Sequence, residues 1–267
     1  MARVSRGYVQ TPDGAIHYRR AGRDGPTLVL FHESPLSSVI FHRALPLLGE
    51  KLQVWALDTP GYGQSDPPPA PLEIPDYGRR LLQAIDALGI DRFAVGGGHT
   101  GASLAIEVAA LAGPERISCA VLSGVPLLTA AERADYLASW SPEIALSAGS
   151  ELYDWAWQRY QRIWGGDDPA LNTVAIIQLL QAGPRYNWAY NAAFRHDPAP
   201  SLASLACPIL LINPENDLLN FTDPRVLEMK PSARFVKVPG LRGQLPWRQP
   251  KVYADETIAF ITGESVG

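Results

Sequence analysis

Val95-Gly96-Gly97-Gly98-His99-Thr100-Gly101-Ala102 is the stretch from which the rest of the chain can be read. An apolar, β-branched run at 92–95 enters it, and a helical pattern at about 100–112 leaves it, ending at Gly113-Pro114. Glycines between a strand and a helix permit a turn too sharp for residues that carry a Cβ. Two frames fit such a turn. Gly98-x-Thr100-x-Ala102 puts a hydroxyl at the apex but lacks the second glycine, whereas Gly97-x-His99-x-Gly101 has both. The second frame makes His99 the apex and Thr100 the first residue beyond it.

Working outward, short apolar runs at 27–32, 53–57, 92–95, 117–122, 208–212 and 235–238 read as strands, with helical patterns between them. The clearest helix spans 76–88, where Tyr77, Leu81, Leu82, Ile85 and Leu88 recur at three- and four-residue spacing, with Asp76 as N-cap and Gly89 as C-cap. This alternation implies an α/β fold, a mostly parallel sheet with helices on both faces, because parallel strands need crossover connections. Two polar stretches around Pro12-Asp13-Gly14 read as an N-terminal hairpin at the sheet edge. Between 126 and 200 no strand signal occurs, and the segment turns helical and aromatic. It reads as an inserted cap, so the core comprises 1–125 and 201–267. The cap holds eleven aromatic side chains, which either build its own core or line an apolar pocket. Trp140, Trp155, Trp188 and Tyr190 are the candidate pocket rings.

The turn at His99 resembles the nucleophile elbow of the α/β-hydrolase superfamily. In many members an acidic residue follows the nucleophile by eight positions, and Glu107 stands there relative to His99. The resemblance extends along nearly the whole chain. His32-Glu33-Ser34-Pro35 looks like the family's His-Gly-x-Pro oxyanion loop, with Glu33 in the glycine's place. Asp58-Thr59-Pro60-Gly61-Tyr62-Gly63-Gln64-Ser65 looks like its D-x-x-G-x-G-x-S turn. Asp217, after the run at 208–212, matches the triad acid. Where the family reads Pro-Gly-x-Gly-His-x-Pro, this chain reads Pro239-Gly240-Leu241-Arg242-Gly243-Gln244-Leu245-Pro246, so Gln244 replaces the triad histidine.

The resemblance implies a catalytic set of His99, Asp217 and Gln244, with the backbone N–H groups of Thr100 and Ser34 as oxyanion donors. Glutamine cannot take a proton near neutral pH, so the serine relay cannot operate. An imidazole is basic without help at an ordinary value of about 6.5, which lets His99 act alone. Three readings stay open. One is cofactor-free acid–base chemistry on a small, largely apolar carbonyl compound, of the lyase, isomerase, cyclase or decarboxylase type. Another is hydrolysis of an ester, lactone or similar bond with His99 as base or nucleophile. The last is a catalytically silent member that binds a ligand. In the enzymatic readings Gln244 orients the imidazole, and Glu33 and His32 reach the substrate.

Composition narrows the partners. With 23 basic and 27 acidic side chains, a net charge of -4 and no Lys/Arg run, the chain offers no footprint for nucleic acid. No apolar run is long enough to span a membrane and no leader precedes the first strand, which points to a cytoplasmic protein with a small-molecule partner. Cys119 and Cys207, 88 positions apart, read as buried thiols. No histidine pair has metal spacing, so no metal is expected. Gly96-x-Gly98-x-x-Gly101 has dinucleotide spacing, but Val121, Leu122 and Ser123 stand where the ribose-binding acid belongs. No cofactor is implied.

Overall fold

The computed structural model describes residues 1–146 and 149–264. Eight strands form one sheet: β1 (Ser5–Thr11), β2 (Gly14–Ala21), β3 (Thr27–Phe31), β4 (Gln53–Leu57), β5 (Phe93–Gly98), β6 (Ile117–Ser123), β7 (Ile209–Pro214) and β8 (Arg234–Val238). Their spatial order is β1-β2-β4-β3-β5-β6-β7-β8. The β1–β2 hairpin turns at Pro12-Asp13, and both β1–β2 and β2–β4 pair antiparallel. The other five pairings are parallel. The helices are α1 (Leu45–Leu48), α2 (Ile74–Ala87), α3 (Thr100–Ala112), α4 (Ala130–Ser139), α5 (Glu151–Trp164), α6 (Pro169–Ala182), α7 (Trp188–Arg195), α8 (Ala199–Ser204), α9 (Asp223–Met229), α10 (Leu245–Arg248) and α11 (Pro250–Thr262).

Strands β3 to β6 are buried on both faces, which is why they read as continuous Val, Leu, Ile and Ala runs rather than as alternations. Helix α2 starts earlier than the spacing predicts. Glu73 is its N-cap and Asp76 is the third helical residue, the two forming a capping box, while Leu88 caps the C-terminus ahead of Gly89. Helices α4 to α7 lie between β6 and β7, and no strand interrupts them among the described residues. The Tyr62 hydroxyl donates to the Tyr186 carbonyl at 3.1 Å and accepts the Ala189 N–H at 2.8 Å. The turn after β4 thereby anchors this helical segment to the sheet.

That turn is itself held by Asp58, which accepts the Ser38 N–H at 2.7 Å and the Gln64 N–H at 3.0 Å and pairs with His17 at 2.8 Å. Cys119 and Cys207 are free thiols, and burial pushes Cys119 up to about 11. His196 is largely covered and lies 3.8 Å from Glu107 of α3. Among the described residues no helix is long and apolar enough to cross a membrane.

Candidate active site

The parallel strands deliver their C-terminal ends to one rim, where crevices form in sheets of this kind. His99 tops the central strand with φ 52° and ψ −118°, outside the regions favoured for side-chain-bearing residues. The glycines on either side explain the frame. A Cβ on Gly97 would lie 2.2 Å from the Gly101 carbonyl oxygen, and one on Gly101 would lie 2.1 Å from that of Phe31. Gly98 is crowded by nothing closer than 3.7 Å. The backbone therefore requires glycine at the two positions flanking His99, and the apex of the turn is His99 rather than Thr100.

The imidazole is clamped between two carboxylates. Nε2 lies 2.9 Å and 3.0 Å from the two Asp217 oxygens, and Nδ1 lies 3.1 Å from Glu33 Oε2. The His99, Glu33 and Asp217 side chains are 20%, 13% and 2% exposed, so water screens the cluster only in part. Burial alone would push the imidazole down, but Asp217 and then Glu33 outweigh it and hold His99 well above the ordinary histidine value. Asp217 and Glu33 thus favour the protonated ring, against the expectation that His99 stands as a free basic imidazole.

Glu33 comes from the loop after β3, and the register explains why it meets His99. Phe31 pairs with Gly97 across β3 and β5, and extending that pairing two residues along both chains puts Glu33 opposite His99. The strand runs in the sequence already contained this signal. Gln244, in left-handed conformation at the start of α10, does not orient the imidazole as expected. Its Nε2 donates to Glu33 at 3.3 Å, and its Oε1 is buried without a partner among the described residues. Asp217 reaches His99 directly, which leaves no gap for the glutamine to bridge. Behind the ring, Asn213 accepts the Gly124 N–H at 3.0 Å and donates to Asp223 at 2.8 Å, fixing the segment against which the imidazole lies. Burial raises the Asp223 carboxyl to about 6.

Glu33, His99 and Thr100 open into a cavity of about 590 Å³, part of it continuous with solvent. Its other walls are Pro126, Tyr136 and Trp140, Tyr160, Ile163 and Trp164, Tyr190, Ala193 and Phe194, and Leu218 and Leu219. Of the expected rings, Trp140 and Tyr190 line it. Trp155 does not; it packs edge-on against Tyr186 at 5.7 Å. Trp188 is also absent from the wall, since α7 presents Tyr190 and Phe194, four residues apart, on its inner side. Tyr136 with Trp140, and Tyr160 with Ile163 and Trp164, share the same helical spacing, which would have selected them. A second pocket, also partly open to solvent, is bordered by Glu33, His99, Ser123, Asp217 and Gln244.

His32 does not reach the cavity. Its Nε2 accepts the Thr59 N–H at 2.9 Å and its Nδ1 donates to the Glu33 carbonyl at 3.0 Å, so both nitrogens hold loops in place. Burial depresses its proton affinity. Thr100, the first residue of α3, carries a backbone N–H with no intrahelical acceptor. Ser34 is buried outside the cavity wall. Among the described residues no three His, Cys, Asp or Glu side chains converge as a metal site.

Comparison with known proteins agrees with this fold. The family model described as alpha/beta hydrolase fold matches residues 26–161, just over half of the 267. The chain belongs to this family and to its superfamily of enzymes. It is 35% identical over 132 residues to bifunctional epoxide hydrolase 2 of Mus musculus, covering 47% of this chain and 23% of that protein. It is 33% identical over 105 residues to a haloalkane dehalogenase of Mesorhizobium japonicum, covering 39% and 34%. It is also 35% identical over 117 residues to a 2-hydroxy-6-oxononadienedioate/2-hydroxy-6-oxononatrienedioate hydrolase of Pseudomonas putida, covering 42% and 41%. The chain thus matches less than half the length of each. Among solved structures, an enol-lactonase from Burkholderia xenovorans LB400 superposes with a TM-score of 0.76 at 19% identity, covering 96% of this chain and all of that one.

Proposed function

We propose that this protein is a cofactor-free enzyme that moves a proton to or from a small, largely apolar carbonyl compound, in the manner of a lyase, isomerase, cyclase or decarboxylase. The observation that carries the proposal is the Glu33–His99–Asp217 chain at the floor of the aromatic cavity. Two carboxylates flank one imidazole beside apolar walls, and a carboxylate placed there is a group that can take a proton from a bound substrate. Glu33 is the member with an oxygen at the cavity wall, so it is the base. His99 works through it: the imidazolium, fixed by Asp217, orients the Glu33 carboxylate. The negative oxygen that develops on the substrate is received by the Thr100 N–H at the positive end of α3.

A second reading, hydrolysis, has its own support in the names of the relatives and in the second pocket. The unpartnered Gln244 Oε1 and the Glu33 carboxylate border that pocket and suit a water nucleophile. The two readings separate experimentally. Solvent deuterium exchange into a panel of small aryl ketones is expected with the native protein and is expected to vanish in Glu33→Gln. Release of product from activated esters and lactones, with no exchange into any ketone, would overturn the carbon-acid reading in favour of hydrolysis.

A further inference from the structure

Arg159 of α5 is 3% exposed, yet no carboxylate pairs with it among the described residues. Its Nη1 donates to the Trp140 carbonyl at 2.8 Å, while Nε and Nη2 are buried without a hydrogen-bond partner. These two are the donors on one edge of the guanidinium, the parallel fork that fits both oxygens of a single carboxylate. Three rings surround the group, Trp140 at 5.3 Å, Trp155 at 5.7 Å and Tyr190 at 5.8 Å from its central carbon. Their π faces balance part of the charge, and the Tyr190 hydroxyl interacts with the guanidinium, but no carboxylate completes it among the described residues. A buried cation with two idle donors is costly unless something completes it.

Its placement shows what could. Trp140 and Tyr190 are walls of the cavity, and Arg159 lies behind both rings rather than in the wall itself. Tyr160, Ile163 and Trp164 turn the same helix toward the cavity, and Arg159 stands one turn before Ile163. The adjacent Tyr160 hydroxyl is likewise buried and unpartnered. Unused donors thus lie just behind the helical wall of a cavity whose opposite side holds Glu33 and His99.

We propose that Arg159 is an anion subsite of this cavity, so that the ligand it takes carries a carboxylate at one end, bound in the Nε–Nη2 fork, and an apolar body against the rings. Resting on the proposed function, this deepens it: the substrate is a carboxylic acid whose reactive carbon lies toward Glu33. The fixed negative charge at the floor adds selectivity, since a carboxylate is repelled from Glu33 and drawn toward Arg159, which sets the direction of binding.

The test is calorimetric titration of the full chain with phenylacetate, phenylpyruvate and 3-phenylpropionate against their uncharged amides. At least one acid is expected to bind tenfold or more tightly than its amide. That preference should disappear in Arg159→Met, whose thioether suits the ring cage, and shrink in Arg159→Lys, which keeps the charge without the fork. To guard against misfolding of the variants, the Arg159 Nε–H resonance of the native protein should shift on addition of that acid and not of its amide. No acid preference across the three pairs, or a preference retained in Arg159→Met, would overturn the subsite. Glu33→Gln keeps the arms separate: it abolishes turnover if the proposed function holds, while the acid-over-amide preference, which rests on Arg159, persists or rises as the opposing charge is removed, whether or not that function holds.

Discussion

Gly124 follows β6 directly behind the imidazole, and Gly124→Ala should break the site at a calculable cost. The new Cβ would lie 2.3 Å from His99 Cδ2, 2.7 Å from Nε2 and 3.0 Å from Asp217 Oδ1, on a residue with φ +52°. Favourable carbon contacts begin near ~3.5 Å, so the ring has to retreat by roughly 1 Å. Nε2 now sits 2.9 Å from Asp217, and such a retreat takes the pair out of hydrogen-bond range. Losing a hydrogen bond to a charged group costs about 1.5–3 kcal/mol. Left-handed strain adds roughly 1–2 kcal/mol. The expected loss is therefore about 2.5–5 kcal/mol, which at ~2–4 °C per kcal/mol lowers Tm by roughly 5–20 °C. Gly89→Ala is the control, because φ is +71° there and a Cβ would meet nothing within 4 Å. It carries the strain alone, about 1–2 kcal/mol. Urea melts of both variants, with the His99 titration followed in each, decide the matter. Equal destabilisation by the two substitutions, with His99 titrating as in the native protein, would refute the clamped geometry.

Other substitutions test neighbouring parts of the account. Because Asp217 and Glu33 raise the folded-state value of His99, the stability they confer is complete below the unfolded value of about 6.5 and is lost as pH rises through the folded one. Urea midpoints should fall with increasing pH across that window, and Asp217→Asn should flatten the fall; a native stability that rises there would contradict the sign. Asp58→Ala leaves His17 and the Ser38 and Gln64 N–H groups without their buried acceptor. It should cost about 3–5 kcal/mol by denaturant unfolding, and a loss under about 1 kcal/mol would show that the turn does not depend on this carboxylate. Trp140→Ala removes a cavity wall and Trp155→Ala does not, so once a substrate is in hand the first should raise KM well beyond the second. Equal effects would mean that the cavity is not where substrate binds.

The sheet was legible because its central strands are buried on both faces and therefore appear as unbroken apolar runs, and the elbow because glycines cluster where a Cβ would strike the Gly101 and Phe31 carbonyls. Asp217 could be located by its order after His99. The Glu33–His99 contact was not read, since the residues stand far apart in the chain and meet only through the β3–β5 register. Gln244 was assigned to His99 by analogy with the residue it replaces. The shorter, direct reach of Asp217 to an imidazole that itself sits on the elbow displaced it. Aromatic density in the cap gave no direction for individual rings. Helix packing turned Trp155 and Trp188 away and brought Tyr136, Tyr160 and Phe194 in. Arg159 escaped notice because its significance lies in partners it lacks, and no sequence displays those.

The claim on which the rest depends is that His99 is held as an imidazolium by Glu33 and Asp217. Nitrogen-15 NMR of the ring, recorded from pH ~5 to 9 around the ordinary imidazole value, reads this directly. The account predicts that both ring nitrogens stay protonated well past ~6.5, and that Asp217→Asn brings the titration down. A native His99 that loses its proton near ~6.5, with one bare nitrogen at neutral pH, would contradict it and return the histidine to the role of free base.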